Sequence, residues 1–247
     1  MKIHQLPSIF KQFSNLIAAE STRHGGISPA PYVSLNLGGN TNDLSKNVEK
    51  NRNIFFSNLN ISLEQVVFNH QIHGDNILVV TKPGNYSGYD ALLSNKQNVF
   101  LTTGIADCVP ILIYDKENWV CMAIHAGWKG TVKRILVKTL MHAAIEFGTA
   151  PKDCYVYIGT CIDECSFEVD ADIADEFSDD FKRWDAEKEK FFVDLKKANL
   201  KQSLDLGIPE AQIEISPNST VLHNEDYFSY RKEGGETGRM MVVIGRK

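Results

Sequence analysis

The sequence predicts a mixed α+β fold, α/β in the broad sense, built as a single layered domain of mixed sheets flanked by helices over residues 1–247. Two observations predict it. Strand-like runs outnumber helix-like ones and come in groups, without the regular alternation of a βαβ array. The chain is 43% hydrophobic and 23% charged, the balance of an ordinary globular domain, and no repeat, low-complexity tract or linker divides it.

Taken in order, the first expected element is a helix over 45–59. Strands are expected over 65–69, 77–81 and 99–103, then over 109–114 and 119–125, and finally over 155–159, 212–216 and 239–245. Each run is rich in β-branched or aromatic residues and is bounded by Gly, Pro, Asn or Asp. Residues 111–114 and 119–124 read as a hairpin closed by a four-residue turn over 115–118. The most regular helix is expected over 131–147. There Val132, Ile135, Leu136, Leu140, Ala143 and Ile145 roughly follow the helical period, and Gly148 supplies the stop. Further helices are expected over 171–181 and 194–206, the last ended by Gly207 and Pro209.

Composition excludes some functions. The net charge is −5 and Lys and Arg are scattered, which leaves no electrostatic footprint for nucleic acid. The opening MKIHQLPSIFKQFSNL has no uninterrupted apolar core, and no later run reaches membrane-spanning length. Neither export nor a membrane is expected. The five cysteines are then expected to stay reduced in the cytoplasm.

Three short, glycine- and proline-punctuated segments carry the chemistry: NHQIHGDN with His73, GIADCVPIL with Cys108 and AIHAGWKG with His125. Each borders a predicted strand. Two imidazoles and a thiol suit a borderline divalent metal, and three protein ligands leave a fourth position for water or substrate. The three are too far apart in sequence for a local finger, so only a fold can join them. Each also has a plainer reading: His73 as a loop residue, Cys108 as an inert core thiol, His125 as the end of a strand. His70 competes with His73. In an extended segment residues three apart point to opposite faces, so only one of the two should enter a common site.

Other segments carry weaker signals. Lys129 precedes Gly130-Thr131, which reads as a helix N-terminus suited to an anion, though the glycines do not match a P-loop. Arg23 sits in the glycine-bearing stretch 21–28, and a third basic segment runs from Tyr230-Arg231 to Arg239. Cys121, Cys154, Cys161 and Cys165 are expected to be structural, the last two being spaced one residue too widely for CxxC. Asp107 and Asp90 could serve acid–base chemistry if the fold paired them.

In this order, TRHGGIS, SLNLG, NHQIHG, ADCVPIL, HAGWKGT, FEVD and FSYR…TGRM resemble the bacterial YfiH-like laccase-domain family, whose members are labelled polyphenol oxidase or purine nucleoside phosphorylase. The match runs from Thr22 to Met240. The resemblance implies a single α/β domain of layered sheets and helices, similar to a cysteine-hydrolase toxin fold. It implies a metal, zinc or alternatively copper, held by His73, Cys108 and His125, and sets His70 aside. It implies phosphorolysis of adenosine, inosine, guanosine and methylthioadenosine, with adenosine deamination as a side activity. Thr160 stands where the family usually has proline, and Ser219-Thr220 where a Cys-Thr pair is common; both bear on the pocket rather than the triad.

The resulting expectation is a metal-dependent enzyme acting on a purine nucleoside and phosphate. His73, Cys108 and His125 are the catalytic metal centre, Gln71 and Asp107 flank it on the substrate side, and Arg23 and Lys129 are candidate phosphate holders. A copper-dependent polyphenol oxidase is the first alternative, but seven histidines are few for a multicopper centre. A metal-free cysteine hydrolase is another, with Cys108 as nucleophile and His125 or His73 as base. A purely structural zinc normally takes four ligands, which disfavours a non-enzymatic metal protein.

Overall fold

The computed structural model describes residues 2–247. In chain order the first half contains β1 (His4–Gln5), β2 (Leu16–Ser21), α1 (Ser45–Asn58), β3 (Val66–His70), β4 (Ile77–Val79), β5 (Gly84–Ser87), β6 (Ala91–Ser94), β7 (Phe100–Ile105), β8 (Val109–Asp115) and β9 (Val120–Ala126). The second half contains α2 (Trp128–Val132), α3 (Ile135–Phe147), β10 (Cys154–Ile158), β11 (Glu168–Val169), α4 (Ala171–Ala174), β12 (Lys182–Asp185), β13 (Lys190–Val193), α5 (Leu195–Asp205), β14 (Ile213–Ile215) and β15 (Met240–Arg246).

Among the described residues these strands form two six-stranded sheets, ordered β1-β2-β15-β7-β3-β5 and β14-β10-β8-β9-β6-β4, and a small sheet β11-β13-β12. Parallel and antiparallel pairs mix: β3 runs parallel to β7 and β5, while β8, β9 and β10 are antiparallel neighbours. The side-chain period of two then builds the layers. On β8, Leu112 and Tyr114 pack with Val67, Leu101, Val242 and Ile244 of the other large sheet. Ile111 and Ile113 face the opposite way, onto Leu136 and Leu140 of α3 and Leu195 of α5. The first sheet turns its outer face, through Ala19, Val66, Phe100 and Val243, onto Phe55 and Phe56 of α1. The order is helix, sheet, sheet, helix, so the central strands are apolar on both faces.

Several expected elements are revised. The helix over 131–147 is two helices, because Arg134 between them is left-handed at φ 59° and ψ 47°. The Thr131 carbonyl accepts from the Arg134 amide at 3.0 Å and from Gln202 Nε2 of α5 at 2.9 Å, and the Thr131 hydroxyl from Asn199 Nδ2 of α5 at 3.0 Å. The helix expected over 171–181 stops after Ala174, whose carbonyl accepts from Lys182 Nζ at 3.0 Å. The hairpin forms, but Trp119 belongs to its turn at φ 58° and the second strand starts at Val120. Strands β1, β2, β5 and β6, and the whole small sheet, were not among the expected elements.

Candidate metal centre

Asp90 organises the site. It lies just before β6, its side chain is fully buried, and its carboxylate accepts the backbone N–H groups of Gly74 at 2.7 Å, His73 at 3.0 Å and Ile72 at 3.4 Å. That grip turns the chain after β3 and holds His73 at φ 56°. The same carboxylate accepts from His125 Nδ1 at 2.8 Å, which fixes the proton on Nδ1 and leaves Nε2 free as a donor atom for a metal. His125 is the penultimate residue of β9, opposite Pro110, and is buried.

Cys108 occupies the turn from β7 to β8. Asp107 before it is left-handed at φ 86° and pins the turn. Its carboxylate accepts from Thr220 Oγ1 at 2.5 Å and from the Arg231 amide at 2.7 Å, and its carbonyl accepts from the Ile162 amide at 2.9 Å. Gln71 clasps the neighbouring strand, donating to the Gly104 carbonyl and accepting from its amide, both at 2.9 Å.

These supports bring the donors together. Cys108 Sγ lies 4.0 Å from His73 Nδ1, the two imidazole centroids are 4.7 Å apart at 78°, and one donor atom from each of the three residues lies within 4.8 Å of the others. Gly127 leaves the space around them open: a Cβ there would stand 3.1 Å from Cys108 Sγ and 3.3 Å from His73 Nδ1. A soft thiolate with two imidazoles, one already oriented from behind, fits a zinc- or copper-sized ion with an open position. Burial disfavours the Cys108 thiolate, yet His125 and His73 beside it pull its pKa below the ordinary thiol value. Burial likewise opposes the His125 charge, while Cys108 and Asp90 raise its pKa. The two shifts are two views of one coupled interaction between the thiol and the imidazole.

The centre opens into a cavity of about 620 Å³ lined by Gln71, Asp107 and, from outside the triad, Arg52, Phe68, Tyr230, Arg231 and Arg239. Arg52 lies over the Phe68 ring at 4.1 Å and donates to the Leu37 carbonyl at 2.9 Å. Arg239 donates to the Thr237 and Gly238 carbonyls at 2.8 and 2.9 Å. Burial works against its charge, and Tyr230, Asp107 and Cys108 nearby favour it. Neither Arg52 nor Arg239 forms an ion pair with a carboxylate among the described residues, whereas Arg231 lies 4.0 Å from Glu168, so the first two are the cations this wall leaves for a ligand.

Several sequence expectations need correcting in place. Arg23 does not reach the cavity; its guanidinium is consumed by the Val33 and Asn224 carbonyls and by Glu233, at 3.0, 2.7 and 2.9 Å. Lys129 is exposed on α2 and sits 5.4 Å over the Trp128 ring. That helix starts at Trp128, which puts Gly130 and Thr131 inside it. Asp90 and Asp107 do not form a pair, each being occupied by its own partners. His70 lines the cavity alongside His73, because the chain leaves the extended conformation between them, but it stands outside the donor cluster and contacts Asn40. Thr160 and Ser219 lie behind the site: Thr160 donates its amide to Glu20 at 3.1 Å, Ser219 contacts Asp163, and neither lines the cavity. Arg52 and Asp90 were the residues missed in these roles, since a lone arginine in a helix and a lone aspartate before a strand carry no local pattern.

A layered α/β chain with one His–Cys–His donor cluster at the floor of a cationic cavity defines the class. The chain belongs to the family described as multi-copper polyphenol oxidoreductase laccase, whose sequence profile matches residues 17–247. It is similar to a Bacteroides thetaiotaomicron protein named purine nucleoside phosphorylase, 33% identical over 94% of this chain and 92% of that one. It is equally similar to the Bacillus subtilis purine nucleoside phosphorylase YlmD, 33% identical over 94% and 89%. Among solved structures it matches Bacillus licheniformis hypothetical protein YfiH, with TM-score 0.93, 30% identity and coverage of 100% and 97%. It also matches YlmD from Geobacillus stearothermophilus, with TM-score 0.91, 32% identity and coverage of 96% and 94%. No helix among the described residues is long and apolar enough to cross a membrane.

Proposed function

We propose that the chain acts as one domain, in the cytoplasm, as a metal-dependent purine nucleoside phosphorylase with adenosine deamination as a side reaction. Adenosine, inosine, guanosine and methylthioadenosine are the proposed nucleosides. The observation that carries this reading is the junction of an open three-donor cluster with a cavity wall bearing Arg52 and Arg239, neither of them ion-paired to a carboxylate among the described residues. The relatives named purine nucleoside phosphorylase support the same substrate class.

Phosphorolysis forms a bond from a phosphate oxygen to ribose C1′ while the C1′–N9 bond breaks and its electron pair leaves with the purine. Arg52 and Arg239 would hold the phosphate, replacing Arg23 and Lys129 in that role, and Arg231 borders the same space. Such fixed cations hold the nucleophile in place and act where charge builds up. Phe68 and Tyr230 offer aromatic surfaces to the base. Gln71 and Asp107 keep the two loops of the floor in register through their backbone contacts, and Asp90 keeps His125 Nε2 turned inward. An ion held by His73, Cys108 and His125, zinc for preference and copper as the alternative, would supply Lewis acidity and an activated water of the kind purine deamination uses.

The family's description favours phenol oxidation as a second reading. Against it, the described residues gather metal donors in one cluster only, while His24, His142 and His223 are engaged elsewhere. Incubating zinc-loaded protein with inosine or adenosine, with and without phosphate, tests the proposal. Base and ribose 1-phosphate should appear only when phosphate is present; free ribose would indicate hydrolysis, and no base release at all would sink the reading. His73→Ala should abolish turnover with an unchanged circular dichroism spectrum. Metal analysis of Cys108→Ala separates a metal enzyme, which should lose its ion, from a metal-free cysteine hydrolase.

A further inference from the structure

We infer that a second binding site, for an aromatic anion of the mononucleotide class, lies at the opposite end of the strands from the metal centre, built on Trp119, Arg246 and Lys96. Cys108 directly precedes β8 and His125 nearly ends β9, so the turn joining these two strands lies at their far ends. Seven residues of strand put it roughly 20 Å away. Asn95–Gln97 likewise follow β6 at the end remote from Asp90. A cavity of about 560 Å³ opens there, lined by Asn15, Asn95, Lys96, Gln97, Trp119 and Arg246.

Arg246 makes this more than a surface dent. It is only 6% exposed, yet no carboxylate pairs with it among the described residues. Its one side-chain hydrogen bond within the chain runs from Nη2 to the Asn95 carbonyl at 2.8 Å, and Nε is buried without a partner. A guanidinium keeps its charge, and holding a charge away from water without a counter-ion is costly. The Trp119 ring, 5.5 Å away, offsets a fraction of that through its π face. An anion in the cavity would offset the rest.

Apart from its ring contact with Arg246, nothing in the turn calls for tryptophan at 119. It is 57% exposed and left-handed at φ 58°, a conformation that disfavours bulky side chains. The turn is already shaped by Asp115, whose carboxylate accepts the amides of Glu117 at 2.9 Å and Asn118 at 3.2 Å. An asparagine or glycine at 119 would close the hairpin with less strain. Backbone strain retained beside a ligand-sized cavity is a pointer to binding. The exposed indole offers a face for a flat ring to stack on, Arg246 and Lys96 offer positive charge to an anion, and the carboxamides of Asn15, Asn95 and Gln97 offer donors and acceptors to ring edges. A mononucleotide satisfies all three; a nucleoside lacks the charge and free phosphate lacks the ring.

The test reads the Trp119 indole N–H resonance in a ¹⁵N spectrum, assigned by its loss in Trp119→Phe, during titration with AMP, adenosine or inorganic phosphate. AMP should shift it saturably, in the wild type and equally in His73→Ala, where the metal centre is disabled. Adenosine and phosphate should each bind about tenfold or more weakly, the scale of one lost charged or stacking contact at about 1.4 kcal/mol. Lys96→Glu, an exposed change that spares the fold, should weaken AMP by a similar factor, as should Arg246→Gln. A resonance that never moves with AMP, an AMP affinity unchanged in Lys96→Glu, or an equal shift from phosphate alone would each overturn the inference.

Discussion

At the residue scale Asp90 ties the candidate centre together, because it orients the His125 ring and holds the loop that carries His73. Asp90→Asn keeps the shape but places an amide where an acceptor is needed for His125 Nδ1–H. Outer-shell losses of this kind weaken metal binding by about 10- to 100-fold, which a competition titration with a chromophoric chelator would register. Asp90→Ala removes the acceptor of three partly buried amides and of a buried imidazole; thermal denaturation should show a loss of about 2–4 kcal/mol. Burial alone would raise the Asp90 pKa, but its contacts with His125, Gly74 and Ile72 hold it below the usual carboxylate value. The stability it contributes is therefore present above its unfolded pKa and lost as pH falls through the folded one. Asp90→Asn should correspondingly flatten the acid limb of a stability–pH curve, and an unchanged limb would contradict the network.

At the scale of elements, local pattern and tertiary contact disagree most clearly between α2 and α3. The apolar period continues through 131–147, yet the Thr131 carbonyl closes a tight turn with the Arg134 amide, shares itself with Gln202 of α5, and Arg134 turns left-handed. Glycine adopts that conformation without the Cβ penalty. Arg134→Gly should thus be neutral or stabilising by up to about 1 kcal/mol, against the loss of similar size that glycine causes inside a continuous helix. Urea denaturation distinguishes the two, since only a continuous helix would be weakened. The strands were easier to read. Those over 109–114, 119–125 and 155–159 shifted by about one residue, because their β-branched runs end at residues that also end the pairing. β2 and β6 were illegible: Ala and Leu in LIAAES and ALLS favour neither period, and only their neighbours in the sheet make them strands.

At the scale of the whole molecule, the two large sheets enclose a buried acid that the site does not use. Glu20 is inaccessible, and its carboxylate accepts from Tyr157 Oη at 2.5 Å, the Thr160 amide at 3.1 Å and Gln5 Nε2 at 3.2 Å. Burial outweighs these bonds and raises its pKa above the ordinary 4.5. The folded chain then holds a proton that the unfolded chain releases, so this group's contribution to stability is full below pH 4.5 and fades as pH rises towards the folded pKa. Glu20→Gln should remove that slope and be at least as stable as the wild type at neutral pH, as followed by melting temperature across pH; a lower melting point at pH 7 would refute the assignment. By itself the sequence determined the mixed fold class, most central strands and which three residues to look for as one cluster, because those depend on runs of like residues and on motifs that keep their order along the chain. Only the tertiary structure decided which cations face the cavity, that Asp90 stands behind His73 and His125, and that one predicted helix is broken. Those facts depend on which side chains meet across four layers, and contacts between residues far apart in sequence leave no periodicity to read.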